Sequence, residues 1–192
     1  ASIRAKLAPW RSRWPMDSPD AMVIAMNDLD TKVSVVIPNW NGAHWLPGCL
    51  AALAGQTLPP AEVIVVDNAS TDGSVEYLAR EHPGLRVIAN PRNLGFAAAV
   101  NQGIRASAHD LIALLNNDTV PDAEWLERLA HALNEAPPET GSAASLMLNM
   151  DRPVMVDSAG DVLTRQGAAY KRGHGQPASG FGQQKEVFSA CA

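Results

Sequence analysis

Three short clusters carry the side chains that could do chemistry: Asn39-Trp40-Asn41-Gly42, Asp67 to Gly73, and Asn116-Asn117-Asp118. Their content is carboxylate and carboxamide. Asp67, Asn68 and Asp72 can accept hydrogen bonds from a nucleobase or a ribose, and the Asn68 amide can donate as well. Asp118 can bind a hard divalent cation. Mg²⁺ or Mn²⁺ commonly takes one or two protein carboxylates, with phosphate oxygens and waters in the other positions. Such an ion neutralises charge on a diphosphate leaving group. Each cluster also has a plainer reading. Asp67 to Gly73 suits a turn and helix N-cap, with Ser70 or Thr71 capping. Asn116 to Thr119 suits a strand-to-loop turn, and Asn93-Leu94-Gly95 suits a loop before a helix.

Other site chemistries lack their residues. There is no GxxxxGK[ST] phosphate loop, no GxGxxG after the first strand and no GxSxG. The histidines His44, His82, His109, His131 and His174 have no metal-ligand spacing and read as mostly solvent-facing. Cys49 and Cys191 form no CxxC pair and no Cys/His cluster, so zinc is not expected and a reducing compartment is the default. Trp40 and Trp45 read as packing residues rather than as a platform for a sugar.

The elements that position these clusters are legible from periodicity. Val33 to Ile37 is a β-branched run stopped by Pro38, the pattern of a buried strand. His44 to Ala54 has helical apolar spacing, with Pro47 in its first turn. Val63 to Val66 is a second strand ending at Asp67, followed by a helix through Val75, Tyr77, Leu78 and Ala79 that ends at Pro83-Gly84. Leu85 to Ile88 is a third strand, Gly95 to Ser107 an Ala-rich helix, and Leu111 to Leu115 a fourth strand. Asp122 to Ala136 is amphipathic, with Trp125, Leu126, Leu129, Ala130 and Leu133 on one face. Gly141 to Leu148 reads as a further strand. Alternation of this kind gives an α/β fold with a mainly parallel sheet flanked by helices. Ligands of such sheets lie beyond the carboxyl ends of the strands. A parallel sheet brings the three polar clusters to one edge.

Beyond about residue 150 the pattern weakens. Val154 to Val156 and Asp161 to Thr164 suggest an antiparallel hairpin around Ser158-Ala159-Gly160. Gly173 to Gln184 reads as a mobile surface loop. Residues 1–31, broken by Pro9, Pro15 and Pro19, read as a disordered leader. Its Arg4, Lys6, Trp10, Arg11, Arg13 and Trp14 also suit a peripheral contact with a membrane surface.

Composition bounds the class. The chain has 192 residues, 46% apolar and 18% charged, enough for one domain with a core. Its formal net charge of -5 argues against nucleic acid as a partner, since phosphate binding needs a basic surface. No apolar run reaches the roughly 18 to 20 residues needed to cross a bilayer. The abrupt end at Val187 to Ala192 reads as an element cut short, so a C-terminally truncated fragment is expected, with an exposed apolar surface there.

Four segments, in this order and spacing, resemble family-2 glycosyltransferases: Lys32 to Gly42, Val63 to Ser74, Asn90 to Asn101, and Leu114 to Thr119. The resemblance runs from about Lys32 to Ala192 and is nearest to a rhamnosyltransferase-like subgroup, whose Gly-rich loop Arg172 to Phe188 resembles. It implies a GT-A fold, with residues 32–192 as the donor-binding domain and an incomplete acceptor half. It implies transfer of a sugar from a nucleotide-diphosphate donor to a hydroxyl of a glycan or lipid-linked glycan. Pro38, Asp67 and Asn68 would line the base pocket, and Asn117 would sit near the ribose. Asp118 would hold the metal, Mg²⁺ or Mn²⁺, and Asn93 and Gly95 would form the loop beside the nucleotide. Asn39, Asn41, Asp72 and Asn116 belong to the same nucleotide-sugar-binding set. The expected setting is cell-surface polysaccharide synthesis at the cytoplasmic face of a membrane.

The chain departs from the family pattern in three places. The metal motif is Asn-Asn-Asp, where many relatives have Asp-x-Asp, and Asn68 stands where uridine-using members often have Asp. The catalytic carboxylate of inverting members has no matching motif among Asp151, Asp157, Asp161 and Glu186, so no catalytic base is assigned. The competing readings are a sugar-phosphate nucleotidyltransferase, which lacks its Gly-rich basic loop here, and a non-catalytic nucleotide-binding module or inactive truncated product.

Overall fold

The computed structural model describes residues 31–182 and 187. The expected leader, apart from its last residue, and the segment 188–192 lie outside the described residues. The chain divides into two compact units, residues 1–130 and 131–192, with the boundary inside a helix.

In the first unit, β1 (Val33–Asn39), β2 (Glu62–Asp67), β3 (Arg86–Ala89) and β4 (Leu111–Leu114) form one sheet in the order β3-β2-β1-β4. Every pairing in it is parallel. Helices α1 (Leu46–Ala54), α2 (Ser74–Glu81) and α3 (Phe96–Ala106) make the crossovers, and α4 (Trp125–Glu135) follows β4. Alternate residues of β1 serve two cores, as the period of a strand requires. Val33, Val35 and Ile37 pack with Leu46, Cys49, Leu50 and Leu53 of α1, Leu78 of α2 and Leu126 of α4. Val36 joins Ile64, Val66 and Ala99, the last on α3, on the opposite face. Full burial of each such side chain stabilises the fold by roughly 1.5–3 kcal/mol. Helix α3 approaches closely because residue 103 is glycine: a Cβ there would meet Val36 Cγ1 at 2.2 Å.

Several boundaries differ from expectation for local reasons. Pro38 does not stop β1, which pairs with β2 through Asn39. Odd-numbered residues of β1 address β2, since Val33 O accepts Ala61 N–H and Asn39 O accepts Asn68 N–H, while Val36 O accepts Leu115 N–H from the β4 side. Pro38 therefore turns its missing N–H toward β4, whose pairing ends at Leu114 opposite Val36. Helix α1 begins at Leu46 rather than His44, because Gly42 O takes both Trp45 N–H and Leu46 N–H in a preceding turn. Helix α4 begins at Trp125, after a turn in which Trp125 N–H bonds Asp122 O. The buried Gln56 secures that start, accepting Leu126 N–H at 2.9 Å and donating to Asp122 O at 2.7 Å.

In the second unit the strands are short: β5 (Met147–Leu148), β6 (Val156–Ser158), β7 (Asp161–Leu163) and β8 (Ala169–Lys171). The expected hairpin between 154–156 and 161–164 is not formed. Instead β6 pairs antiparallel with β5, and β7 with β8. Gly160, at φ +96°, carries the chain onward, so that Ala159 N–H bonds Arg172 O and Arg172 N–H bonds Gly160 O. Such brief strands have no continuous buried face to specify register, so local pattern misleads. Of the expected strand at 141–148, only Met147–Leu148 is extended. The Gly-rich segment is tied down within 175–178 rather than free: Gly175 N–H bonds Val156 O, Val156 N–H bonds Gln176 O and Ala178 N–H bonds Val154 O.

Candidate functional site

The parallel sheet brings the carboxyl ends of β1, β2, β3 and β4 to one edge. The strand order reverses direction between β1 and β4, the position where open α/β sheets form a crevice. Asn39 ends β1 there, and Asn116 to Asp118 follow β4. Asn117 Nδ2 donates to Asn39 Oδ1 at 2.6 Å across this junction. The other end of the Asn39 amide donates to Asp67 Oδ2 at 2.8 Å and to Ser70 Oγ at 3.2 Å. Asn39 is only 2% exposed, so its amide builds the site from beneath. Gly42 makes room for this pair: a Cβ there would stand 2.0 Å from Asn117 Nδ2 and 2.4 Å from Asn39 Oδ1.

Asp67, 1% exposed, organises the loop that follows β2. Its Oδ2 also accepts Ser70 Oγ–H at 2.6 Å, and its Oδ1 accepts Ser70 N–H at 2.9 Å. Ser70 Oγ in turn accepts Asn41 N–H, and Asn41 Oδ1 accepts Thr71 N–H, with Asn41 at φ +51°. Neither Ser70 nor Thr71 caps α2. Gly73 at φ +87° holds the N-cap position, and Asp72 Oδ1 accepts Ser74 N–H and Oγ–H. Asp72 Oδ2 accepts Ala43 N–H at 2.8 Å, joining the loops after β1 and β2. Desolvation works to raise the Asp72 pKa, but the bonds from Ser74 Oγ, Ala43 N and Ser74 N together outweigh it and hold the carboxyl below its ordinary value.

Asn68 is buried beside Asp67. Its Nδ2 donates to Gly95 O at 3.2 Å, and its Oδ1 accepts Asn90 Nδ2–H at 2.9 Å. Gly95, at φ +86°, donates its own N–H to Asn93 Oδ1 at 2.8 Å, and this fixes the turn into α3. Pro38 is half-buried on β1 opposite Val66. Asn116 contributes its carbonyl, which accepts Thr119 N–H, Thr119 Oγ–H and the Cys49 thiol. Burial, and secondarily the negative charge of Asp118, push the Cys49 thiol up to about 12.

Asp118 differs from these scaffold groups. It is exposed, and no hydrogen bond among the described residues engages its carboxylate. The described residues contain no cluster of three or more His, Cys, Asp or Glu that could hold a metal ion. Mg²⁺ and Mn²⁺ beside substrate phosphates commonly take one or two protein carboxylates, with phosphate oxygens and waters completing the shell, and the exposed Asp118 suits such a ligand.

Trp40 and Trp45 are 59% and 42% exposed and so are not packing residues. Trp45 lies against the His44 ring, with centroids 4.5 Å apart. His44, His131 and His174 are exposed as expected, but His82 and His109 are half-buried and bonded to Tyr77 and Ser34. Sequence reasoning missed the bridging part played by Ser70, and it missed Asn90 and Gln102. Asn90 had a usable signal, since it follows a strand as Asp67 and Asn116 do. Gln102 had none, because it lies a full helix face beyond.

No helix among the described residues is long and apolar enough to cross a membrane. The sequence profile of Glycosyl transferase family 2 matches residues 34–145. Glycosyltransferase AglE of Haloferax volcanii is 40% identical over 102 residues, half of this chain and 33% of that protein. The undecaprenyl-phosphate 4-deoxy-4-formamido-L-arabinose transferase of Serratia proteamaculans is 38% identical over 111 residues, 54% of this chain and 34% of that protein. The chain thus spans about a third of the length of these relatives. Among solved structures, the mannosyltransferase PcManGT of Pyrobaculum calidifontis, in complex with GDP-Man and Mn²⁺, matches at a TM-score of 0.51 with 30% identity, over 62% of this chain and 36% of its own. S. aureus TarS matches in fold at a TM-score of 0.50 with 22% identity, over 62% of this chain and 24% of its own. These are GT-A glycosyltransferases, and the α/β architecture with a mainly parallel sheet is theirs. The profile match covers more than half of the sequence, and by it this chain belongs to glycosyl transferase family 2.

Proposed function

We propose that residues 32–192 form the donor-binding part of an inverting, metal-assisted glycosyltransferase. The observation that carries this reading is the edge itself: buried Asn39, Asp67 and Asn68 form a hydrogen-bonded floor, and the exposed, unengaged carboxylate of Asp118 stands beside it. Pro38, Asp67 and Asn68 line the base pocket and Asn117 stands near the ribose. Asn41, Asp72, Asn93, Gly95 and Asn116 shape the loops around the nucleotide. Asp118 holds a divalent cation, Mg²⁺ or Mn²⁺, which when bound neutralises charge on the diphosphate leaving group. The GDP-Man and Mn²⁺ bound to the Pyrobaculum mannosyltransferase support the donor class and the cation.

The acceptor is a hydroxyl of a glycan or lipid-linked glycan. The Serratia relative, whose name joins a sugar to undecaprenyl phosphate, supports the lipid-linked choice. A rhamnosyltransferase-like role in cell-surface polysaccharide synthesis, at the cytoplasmic face of a membrane, is the finer reading. No described carboxylate is assigned as the base that deprotonates the acceptor.

The test is isothermal titration of UDP, dTDP and GDP into the chain, with and without Mn²⁺, beside Asp118→Ala. The expected result is tight binding of one nucleotide only with Mn²⁺, weakened about tenfold or more in the variant, since a metal-bridged contact exceeds the ~1.4 kcal/mol per decade of affinity. Binding indifferent to both Mn²⁺ and the substitution, or no binding by the folded chain, overturns the reading.

A further inference from the structure

A carboxamide can be seated in its pocket in either of two senses, with oxygen and nitrogen exchanged. The surroundings of Asn68 select one. On one side Gly95 O accepts from Nδ2; on the other Asn90 Nδ2 donates to Oδ1. Gly95 O is a backbone carbonyl and can only accept, so it holds Nδ2 on its side, and Asn90 completes that sense while paired reciprocally with Gln102. Asn90 Nδ2 donates to Gln102 Oε1 at 2.8 Å, and Gln102 Nε2 donates to Asn90 Oδ1 at 3.0 Å. This relay is built from three elements: the end of β2, the end of β3 and the body of α3. Asn90 is only 9% exposed, and its backbone N–H bonds Asp67 O at 2.8 Å, which sets it directly beside the floor of the site. Within the described residues the second N–H of Asn68 Nδ2 and the second lone pair of Oδ1 have no side-chain partner.

We infer that Asn90, paired with Gln102, is a positioning residue that acts with the Gly95 carbonyl to fix the sense of the Asn68 amide and thereby the base that the site accepts. The inference rests on the assignment of Asn68 to the base pocket. Uracil and guanine present an N–H next to a carbonyl, whereas cytosine presents a bare ring nitrogen next to an amino group. An amide held in one sense matches one of these orders and opposes the other. A carboxylate at position 68 would only accept, whereas an amide held by Gly95 O and Asn90 presents a donor and an acceptor in a fixed order.

The experiment measures affinities of UDP, GDP and CDP, each with Mn²⁺, for the unaltered chain and for Asn68→Ala, Asn90→Ala, Asn90→Asp and Gln102→Glu. The unaltered chain is expected to separate CDP from the better of the other two by about tenfold or more, the worth of one or two mismatched hydrogen bonds. Asn90→Ala removes one of the two contacts that set the sense and should narrow the ratio by about threefold or more. Asn90→Asp places an acceptor against Asn68 Oδ1 while Gly95 O still holds Nδ2, so it should narrow the ratio further than Asn90→Ala does. Gln102→Glu still accepts from Asn90 Nδ2, so it should keep the original order. A merely structural role for Asn90 would weaken all three nucleotides alike and leave the ratio intact, which overturns the inference, as does a starting chain that does not discriminate. Should Asn68→Ala also leave an existing ratio untouched, the assignment of Asn68 to the base pocket fails instead. If Asn68→Ala flattens the ratio and both Asn90 variants preserve it, only the relay is wrong.

Discussion

The two units are ordered by different means. In the first, Val35, Val36, Ile37, Ile64, Val65 and Val66 are each 0% exposed, because helices cover both faces of the sheet. In the second, Val156 is the one apolar residue of the described set that is buried, while Leu148, Met150, Val154, Leu163 and Tyr170 are 43% to 71% exposed. Backbone hydrogen bonds between loops, such as those joining 154–156 to 175–178, hold that unit's described part. A two-sided core specifies register at every position, whereas loop pairing specifies only the few residues it touches. The polar site edge belongs to the first unit, where displacement of a strand end would cost core packing.

This contrast is open to experiment, and the largest expected effect is on Cys49. With its pKa pushed up to about 12, its thiolate population at pH 8 is about a thousandfold below that of an exposed thiol, before access is considered. Peptide mapping after thiol labelling should find Cys49 unmodified until the first unit opens; rapid native labelling would contradict a tight core. Next, Ile37→Ala should cost about 2–5 kcal/mol in urea unfolding, and Val162→Ala, half-buried in β7, roughly 1 kcal/mol or less. Equal costs would erase the distinction between the units.

Acid should act on the first unit too. Glu62 is partly buried, which works to raise its pKa, but bonds from Ala108 N, Ser34 and Arg86 hold it below its ordinary value. Asp72 is likewise depressed. Groups lowered in the folded state add stability above their unfolded pKa of about 4, and this is lost as pH falls through the folded values. The melting temperature should stay level from neutrality to about pH 5 and drop below about pH 4, less steeply in Glu62→Gln and Asp72→Asn. The smallest effect is expected from Lys171→Ala, which removes an exposed 2.7 Å pair with Asp157 in the second unit. It should change stability by roughly 0–1 kcal/mol, and less in high salt.

The alternation of strands and helices in the first unit is written in the order of the residues. The β-branched runs at 33–37 and 63–66 and the apolar periodicity of α1 and α4 are local statements, carried by neighbouring residues. From alternation follows a parallel sheet, and from a parallel sheet the gathering of the polar strand ends on one edge. The remainder depends on contacts made in three dimensions. Pro38 reads as a terminator until β4 is known to end short of it. The Asn39–Asn117 bond joins residues 78 positions apart, and its geometry depends on Gly42 leaving a gap. Asn90 and Gln102 find each other only once α3 has crossed the sheet to the opposite face from α1. In the second unit the strands pair with segments other than those expected from local pattern. Periodicity records how a residue relates to its neighbours along the chain. The sense of an amide, the gap above a glycine and the partner of a two-residue strand are set by side chains that meet only after the chain has folded.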